Sequence, residues 1–251
     1  MSTLTPQNPA HAAGSSDPSI DRLPWVKVLA WLTGIIAAVE VIFLGMIATI
    51  VPPIAAGIAL TVVGLVVLRR ARRTGIVILG LTSLLLIIGF APFAASHLAH
   101  PESAVDFTHA VVGTFGRLLA VIAAIGAWRK ASPSGARRLA VAAIGLAGLT
   151  VAASSIAMLV STGDAAEAND VPTIIADSQF AETISIASGE TLYVDNTDVF
   201  RHTFTVVDTD IDVELPAAVG VRVPIDLPAG VYDVICDISG HEHMTATLEV
   251  E

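Results

Sequence analysis

Hydrophobic positions divide the chain into two regions with different periods. Five long apolar runs come first, at residues 24–45, 50–68, 74–95, 107–128 and 139–161. Each is close to the roughly 20 residues that an α-helix needs to cross about 30 Å of hydrocarbon. Beyond residue 173 the runs give way to short stretches in which apolar and polar residues alternate, the period of strands with one buried face.

The boundary between the first two runs is the least distinct. Pro52 and Pro53 are the best candidates for a turn there, because proline interrupts helical hydrogen bonding. The alternative is one kinked segment, but residues 28–68 span 41 positions, far more than a single crossing requires. The pattern therefore favours two helices here and five crossings in total.

The alternating region predicts short antiparallel strands packed as a sandwich or barrel. In one strand Phe200, His202 and Phe204 have the same parity, and in a later one Val234 and Cys236 do. Residues of one parity share a face of the sheet, so the histidine and the cysteine are expected to point inward. About 80 residues suffice for one small core of this kind.

These patterns predict a four-part organisation. Residues 1–23 are interpreted as a disordered cytoplasmic tail and 24–162 as an α-helical membrane domain of about five transmembrane helices. Residues 163–172 are interpreted as a linker and 173–251 as an all-β domain. The polar, partly acidic start of the chain makes a cleaved signal peptide a poor interpretation.

Composition agrees with a membrane protein. The 251 residues are 54% hydrophobic and 14% charged, with a mean hydropathy of +0.75, which is too apolar for an ordinary soluble domain. Residues 1–162 carry 11 basic and 5 acidic side chains, whereas residues 163–251 carry 2 basic and 18 acidic ones. So acidic a C-terminal region argues against binding to nucleic acid or to an anionic membrane.

Basic residues predict the orientation, because cytoplasmic loops are enriched in Lys and Arg. Ten of them flank alternate ends of the apolar runs: Arg22, Lys27, Arg69, Arg70, Arg72, Arg73, Arg129, Lys130, Arg137 and Arg138. The other connections, about 46–51 and 96–106, contain no Lys or Arg. All ten lie on the cytoplasmic side only if the N-terminus is cytoplasmic and the chain crosses five times. The β-domain is then extracytoplasmic.

Ionisable residues inside the apolar runs need a partner or an aqueous cavity. The favoured interpretation is a structural pair of Glu40 and Arg117, with histidines at the membrane interface. The alternatives are haem ligation, or a polar track with a copper or proton role. Such a track would use a helical face with Asp106, Gly113 and Arg117, together with His97, His100 and His109.

The segment VICDISGHEHM, residues 234–244, gathers the only cysteine, two histidines and a methionine. A lone cysteine excludes an intramolecular disulfide, so it is expected to be a ligand or a reactive group. A thiolate and two imidazoles with a weak axial thioether form the trigonal site that suits copper in electron transfer. The predicted ligands are His202, Cys236, His241 and Met244. His243 is a less favoured alternative to His241, because it is adjacent to Met244.

Residues from about 173 to 251 resemble a cupredoxin, the fold of the blue copper proteins plastocyanin and azurin. The matching parts are GETLYVDNTDVFRHTFTV, PAGVYDVICDISGHEHM and TATLEV. The resemblance implies a Greek-key β-sandwich with a type 1 copper ion. His202 matches the family's first histidine ligand, and Cys236, His241 and Met244 match its Cys, second His and Met. The membrane half is not assigned to a family.

This sequence departs from the family pattern in three ways. Thr203 stands where plastocyanin and azurin usually have Asn, and its hydroxyl is a candidate for tying the ligand loops together. The ligand loop differs in length from theirs. Copper sites of the cytochrome oxidase subunit-two type carry two cysteines in this loop, whereas only Cys236 is present, so the copper is expected to be mononuclear.

Each ligand alone has an ordinary structural explanation, because Cys and Met commonly fill cores. For the four residues as a set there are three alternatives: a cupredoxin fold that binds no metal stably, a site for another metal, or a redox-reactive thiol. Zinc is disfavoured, because structural zinc sites take Cys and His rather than Met.

The sequence therefore predicts a multi-pass, membrane-anchored blue copper electron carrier on the outer face of the cytoplasmic membrane, not an enzyme. The resemblance implies that His241 reaches an apolar surface patch, with Val199 and Phe200 nearby, where an unidentified redox partner docks. The alternative function is copper acquisition, handover or sensing, in which the helical domain relays copper through its histidines. A third hypothesis places haem in the helices, as one arm of a respiratory chain.

Overall fold

A computed structural model describes residues 23–47 and 51–251. The segment 1–22, which makes up nearly all of the predicted cytoplasmic tail, lies outside the described residues, as does 48–50 in the first connection. The helices are α1 (Leu23–Met46), α2 (Pro52–Arg70), α3 (Arg72–His97), α4 (Ala104–Val111), α5 (Arg117–Arg129) and α6 (Pro133–Val160). A π-helical segment, Val112–Gly116, joins α4 to α5.

With α4 and α5 counted as one continuous helix, five helices of the described part of the chain are long and apolar enough to cross a membrane. This confirms the five apolar segments that the sequence predicts. α1 ends at Met46 and α2 begins at Pro52, so the first two runs are separate helices. Pro52 and Pro53 lie in the first turn of α2 rather than in the turn before it, because the fixed φ of proline suits the first helical positions.

Close packing of small residues holds the helices together. A single residue, Ala71, separates α2 from α3, and the two helices pack along each other. A Cβ at Gly75 would lie 2.4 Å from the Leu68 Cα, so glycine permits this approach. At the same end of the bundle the Trp25 indole donates hydrogen bonds to the carbonyls of Ala131 and Ser132, which ties α1 to the turn before α6.

The C-terminal region is a β-sandwich of eight strands. They are β1 (Val171–Ile175), β2 (Thr183–Ile186), β3 (Thr191–Asn196), β4 (His202–Val206), β5 (Asp212–Leu215), β6 (Gly220–Pro224), β7 (Gly230–Ile235) and β8 (Thr245–Val250). One sheet has the order β1-β3-β6 and the other β2-β8-β7-β4-β5. β1 with β3 and β2 with β8 are parallel pairs, a difference from the antiparallel pairing that alternation alone favours.

The predicted inward parity is confirmed in the sandwich core. Phe204, Val234, Cys236 and Met244 are all buried in one cluster, and His202 is fully buried. In β7 the side chains of the opposite parity are exposed at Val231 and Asp233, whereas in β4 the opposite-parity Thr203 is buried as well. Strand periodicity thus directs the histidine and the cysteine into the same interior.

The sandwich is seated on the helical bundle through the turn before β4. The Phe200 ring meets the Phe43 ring edge-on at 5.9 Å between centroids. The Arg201 N–H donates to the Asp106 carboxylate at 2.8 Å, and its guanidinium donates to the Ser96 hydroxyl. Because Arg201 directly precedes His202, this contact fixes the predicted metal ligands relative to the helices.

Candidate metal centre

Three of the four predicted ligands lie at strand ends that meet at one end of the five-stranded sheet, and His241 lies in the loop between β7 and β8. His202 begins β4, Cys236 directly follows β7, and Met244 directly precedes β8. β7 pairs antiparallel with both β4 and β8, so the start of β4, the end of β7 and the start of β8 lie together. Strand pairing therefore brings His202 beside the loop that carries Cys236, His241 and Met244.

Backbone hydrogen bonds close this ligand loop. The Cys236 N–H donates to the Met244 carbonyl at 3.1 Å, and the Met244 N–H donates to the His241 carbonyl at 2.8 Å. Gly240, just before His241, has a φ of 97°, in the left-handed region that glycine tolerates best. The loop thus presents thiol, imidazole and thioether from one compact turn.

Three donor atoms converge. His202 Nδ1 lies 3.2 Å from His241 Nδ1, which lies 3.6 Å from the Cys236 Sγ. Nitrogen and sulfur atoms bound to one ion at about 2.0–2.3 Å are separated by roughly 3–4 Å. The donor atoms of all three residues lie within 4.8 Å of one another, so these residues fit a single metal ion.

The chemistry of the donors selects copper. Met244 is 1% exposed and Cys236 4% exposed in the same core cluster, which places a thioether near the thiol and the two imidazoles. This set fits a type 1 copper site. His241 is partly exposed, and it belongs to the donor group, whereas His243 is exposed and lies outside that group. The donor group therefore contains His241, the histidine that the sequence favours, and its role as a ligand stays a prediction.

Asp198 orients the first histidine, a role that was not predicted from the sequence. Its Oδ2 lies 2.9 Å from His202 Nε2, which leaves Nδ1 facing the other donors. The same carboxylate accepts hydrogen bonds from the N–H groups of Asp177 and Ser178, each at 2.8 Å. A carboxylate on the outer nitrogen of a ligand histidine fixes its tautomer and raises its basicity. The available signal was the acidic residue four positions before His202.

Two further polar side chains hold the ligand segments together. The Thr203 hydroxyl accepts the Asp237 N–H at 2.7 Å, and the Thr203 N–H points at the Cys236 Sγ at 3.4 Å. The hydroxyl therefore ties the two ligand segments, as the sequence suggested. Asn196, fully buried, donates through Nδ2 to the carbonyl of Phe200 at 3.0 Å, which stabilises the turn leading to His202.

Burial changes the proton affinities of the metal-free donors. It lowers the pKa of His241 to about 4, with the neighbouring His202 contributing. It also lowers the pKa of His202, against the opposing hydrogen bond to Asp198. Burial raises the pKa of the Cys236 thiol, partly offset by the Thr203 N–H. Both imidazoles are thus neutral and able to ligate near pH 7, whereas the thiol needs a bound cation to release its proton.

The histidines of the helical domain, His97, His100 and His109, do not belong to this donor group. His97 is fully buried at the end of α3, and neither of its ring nitrogens has a partner within the described ranges. His109 stacks on Phe43 with ring centroids 3.8 Å apart. His100 is partly exposed, with Nδ1 2.9 Å from the Glu102 carboxylate.

The ionisable residues of the apolar helices do not share one polar track. Arg117 pairs with Glu40, both buried, the structural pair that the sequence favoured. Asp106 instead accepts the Arg201 N–H. The π-helical segment between Asp106 and Arg117 inserts an extra residue into the helical repeat, so the face that a regular helix would give them is not preserved. The sequence offered no signal for the role of Arg201.

Phe200 does not contribute to a free docking patch. It is 7% exposed and packs against Phe43, because the turn before β4 is covered by the helices. Val199 is 46% exposed, and His241 is partly exposed. The expectation that Phe200 flanks a partner-binding surface is therefore corrected, while Val199 and His241 retain accessible surface.

No protein-family model matches the chain, and no curated protein matches it. Among solved structures, a reduced variant of amicyanin is 17% identical and matches 34% of this chain and 86% of its own, with a TM-score of 0.31. Amicyanin from Paracoccus versutus is 22% identical over 34% of this chain and 85% of its own, with a TM-score of 0.30.

The copper-containing nitrite reductase from Thermus scotoductus is 23% identical over 37% of this chain and 25% of its own, with a TM-score of 0.29. Structural similarity this low assigns no activity to this chain. The two-sheet sandwich and its His-Cys-His group with a nearby Met make the C-terminal region a cupredoxin-like domain, as the sequence predicts.

Proposed function

We propose that this protein is a membrane-anchored carrier of single electrons, with one type 1 copper ion held by His202, Cys236, His241 and Met244. The observation that carries the proposal is the convergence of three donor atoms within 4.8 Å at the end of a closed sandwich. Copper bound there supplies a one-electron change between Cu(II) and Cu(I).

The surrounding residues favour a carrier over an enzyme. The ligand loop is closed by backbone bonds, and His202 is held by Asp198 on its outer nitrogen. A site fixed in this way rearranges little when the charge of its ion changes. Four protein ligands leave no open position for a substrate.

The location proposed for the β-domain is the outer face of the cytoplasmic membrane. Support comes from the ten basic residues at alternate helix ends, which mark the opposite face as cytoplasmic. Protease added to intact spheroplasts should then remove the β-domain and leave the α1–α2 region intact. Protection of the β-domain until the membrane is permeabilised would contradict this orientation. The redox partner is proposed to dock at the exposed surface near Val199 and His241.

The copper site is tested on the full-length protein in detergent, by adding Cu(II) and recording visible absorption and electron spin resonance. We expect an intense blue band and narrow copper hyperfine splitting, both lost in Cys236→Ser. The matched control is His243→Ala, which removes a histidine of the same loop and should leave both signals unchanged. A colourless copper complex in the unmodified protein would overturn the proposal.

Copper handover is the second candidate function, favoured by the position of His97. Among residues 23–47 and 51–251, neither ring nitrogen of this buried histidine has a hydrogen-bond partner, and its Nδ1 lies 4.0 Å from the Asp106 carboxylate. That separation is too long for a hydrogen bond but suits two donors on one ion at about 2 Å each.

Handover requires a second copper-binding site, which can be detected by measuring copper binding when the first site is disabled. In Cys236→Ser, where the first site is disabled, full-length protein should still take Cu(I) from a chromogenic chelator. This binding should disappear when His97→Phe is added and persist with His100→Ala as the control. Absence of Cu(I) binding in the Cys236→Ser protein would eliminate the handover candidate and leave the electron carrier standing.

A further inference from the structure

A groove opens on the helical bundle at the end opposite the β-domain. It lies between the first halves of α1 and α6 and has a volume of about 920 Å³. The hydrogen bonds from Trp25 to the turn before α6 hold its two walls together. None of the residues proposed for the copper site lines it, so the groove has no part in the function proposed above.

The charges of the groove all have one sign. Its lining includes Lys27, Arg137 and Arg138, and no acidic side chain of the described chain lines it. α1 and α6 both start at this end, and the N-terminal ends of helices carry partial positive charge. The mouth of the groove therefore attracts an anion such as a phosphate group.

Below the cations the walls are apolar and open. Trp31 follows Lys27 by one helical turn and is 72% exposed, Ile35 follows by two turns and is 55% exposed, and Ile144 on α6 is 74% exposed. At 1.5 Å per residue, the apolar part descends roughly 12 Å from Lys27 to Ile35. A ligand with an anionic group at the mouth of the groove and an apolar chain along its walls is a phospholipid rather than a free anion.

We infer that this groove binds one anionic phospholipid of the cytoplasmic leaflet. Lys27, Arg137 and Arg138 hold its phosphate, and an acyl chain lies along Trp31 and Ile144. Basic pockets between helices on the cytoplasmic side bind such headgroups. The inference rests on the membrane insertion that the proposed function also assumes.

The test uses quenching of tryptophan fluorescence by lipids brominated on the acyl chain. Full-length protein is placed in phosphatidylcholine vesicles containing a small fraction of brominated phosphatidylglycerol or of brominated phosphatidylcholine. The Trp31→Phe protein, measured in the same way, identifies the part of the signal that comes from Trp31. We expect stronger quenching of Trp31 by phosphatidylglycerol, with a preference that falls about fivefold for each cation removed.

The decisive comparison is between two triple variants. Lys27→Gln with Arg137→Gln and Arg138→Gln should abolish the preference. Arg69→Gln with Arg70→Gln and Arg73→Gln removes equal charge from the same predicted membrane face, outside the groove lining, and should preserve it. Inorganic phosphate in the buffer should not compete, because it lacks the acyl chain; competition would identify the ligand as a free anion and overturn the lipid assignment.

Two negative results are distinguishable. Equal quenching by both brominated lipids, or equal loss in both triple variants, would overturn the lipid site and leave the anchor intact. Absence of quenching by either lipid would mean that α1 is not in the bilayer, which removes both this site and the membrane anchor of the proposed function.

Discussion

A single residue outside the ligand set, Asp198, influences the proposed copper site through its contact with His202. The Asp198 carboxylate lies 2.9 Å from the outer nitrogen of the ligand and is only slightly exposed. A nearby negative charge and a more basic imidazole both stabilise Cu(II) relative to Cu(I). Asp198 should therefore lower the reduction potential of the bound copper.

Replacing Asp198 with Asn retains an oxygen for the Asp177 and Ser178 amides but removes the charge. We expect a higher reduction potential and a Cu(II) affinity weaker by about 10–100-fold, the usual cost of losing a partner of a ligand histidine. Redox titration of the blue band and a copper competition assay measure the two effects. Asp195→Asn, in β3, is the control. An unchanged potential in Asp198→Asn would contradict this role.

The histidines also predict a pH dependence of the metal-free protein. The pKa of His241 in the folded state is about 4, below the ordinary value of about 6.5. Between these values the unfolded chain binds a proton that the folded chain does not, so stability falls as the pH is lowered through this window. Since His241 is partly exposed, the loss should be on the order of 2 kcal/mol.

Unfolding followed by circular dichroism at pH values from 7 down to 4 checks this dependence. In His241→Gln the midpoint should depend less on pH than in the unmodified metal-free protein, because the titrating group is gone. Equal pH slopes for the two proteins would show that His241 is not responsible. Bound copper should flatten the slope as well, since a ligated imidazole cannot take up the proton.

At the scale of elements, the ligand loop depends on the turn at Gly240. Its φ of 97° is strained for any residue with a Cβ, at a cost of about 1–2 kcal/mol. Gly240→Ala should therefore destabilise the loop and weaken copper binding. Gly189→Ala is the matched control, because Gly189 has a φ of 82° in the turn between β2 and β3, outside the ligand loop.

Both glycine variants should lower the unfolding midpoint of the protein by a similar amount. Only Gly240→Ala should change the blue absorption and the copper affinity, which spectroscopy and chelator competition measure. Equal copper affinities in the two variants would mean that the turn does not control the geometry of the ligands.

Most elements could be predicted from the sequence. The five helices follow from apolar length, and the inward positions of His202 and Cys236 follow from strand parity, because both patterns depend only on neighbouring residues. The parallel pairing of β1 with β3 and of β2 with β8 was not predictable. Apolar and polar residues alternate in the same way in parallel and antiparallel strands, so the pattern does not distinguish them. Which strands become neighbours depends on how the whole domain folds.

At the scale of the whole molecule, Asp106 couples the two domains. Its carboxylate accepts the Arg201 N–H across 95 positions of sequence, and the Arg201 guanidinium also reaches Glu214 and Ser96. A buried donor left without its acceptor costs about 1–3 kcal/mol. Removing the Asp106 carboxylate should therefore weaken the contact between the β-domain and the helices.

Hydrogen exchange of the full-length protein measures this coupling. In Asp106→Ala, peptides that cover Arg201 should exchange faster than in the unmodified protein. Asp233→Asn is the control, because Asp233 is an exposed acidic residue of β7, outside β4 and the turn before it. Unchanged exchange near Arg201 in Asp106→Ala would mean that the other contacts between the domains, such as Phe200 with Phe43 and Arg201 with Ser96, are sufficient to hold the β-domain on the helices.

The sequence by itself determined the two-part organisation and the donors of the proposed copper site. Hydropathy, strand parity and the spacing of Cys236, His241 and Met244 are local properties that any fold of this chain must respect. Only the tertiary structure decided that Asp198 holds His202 and that Phe200 and Arg201 lie against the helices. Those contacts join segments from different elements, and their formation depends on how the helices and the two sheets pack against one another.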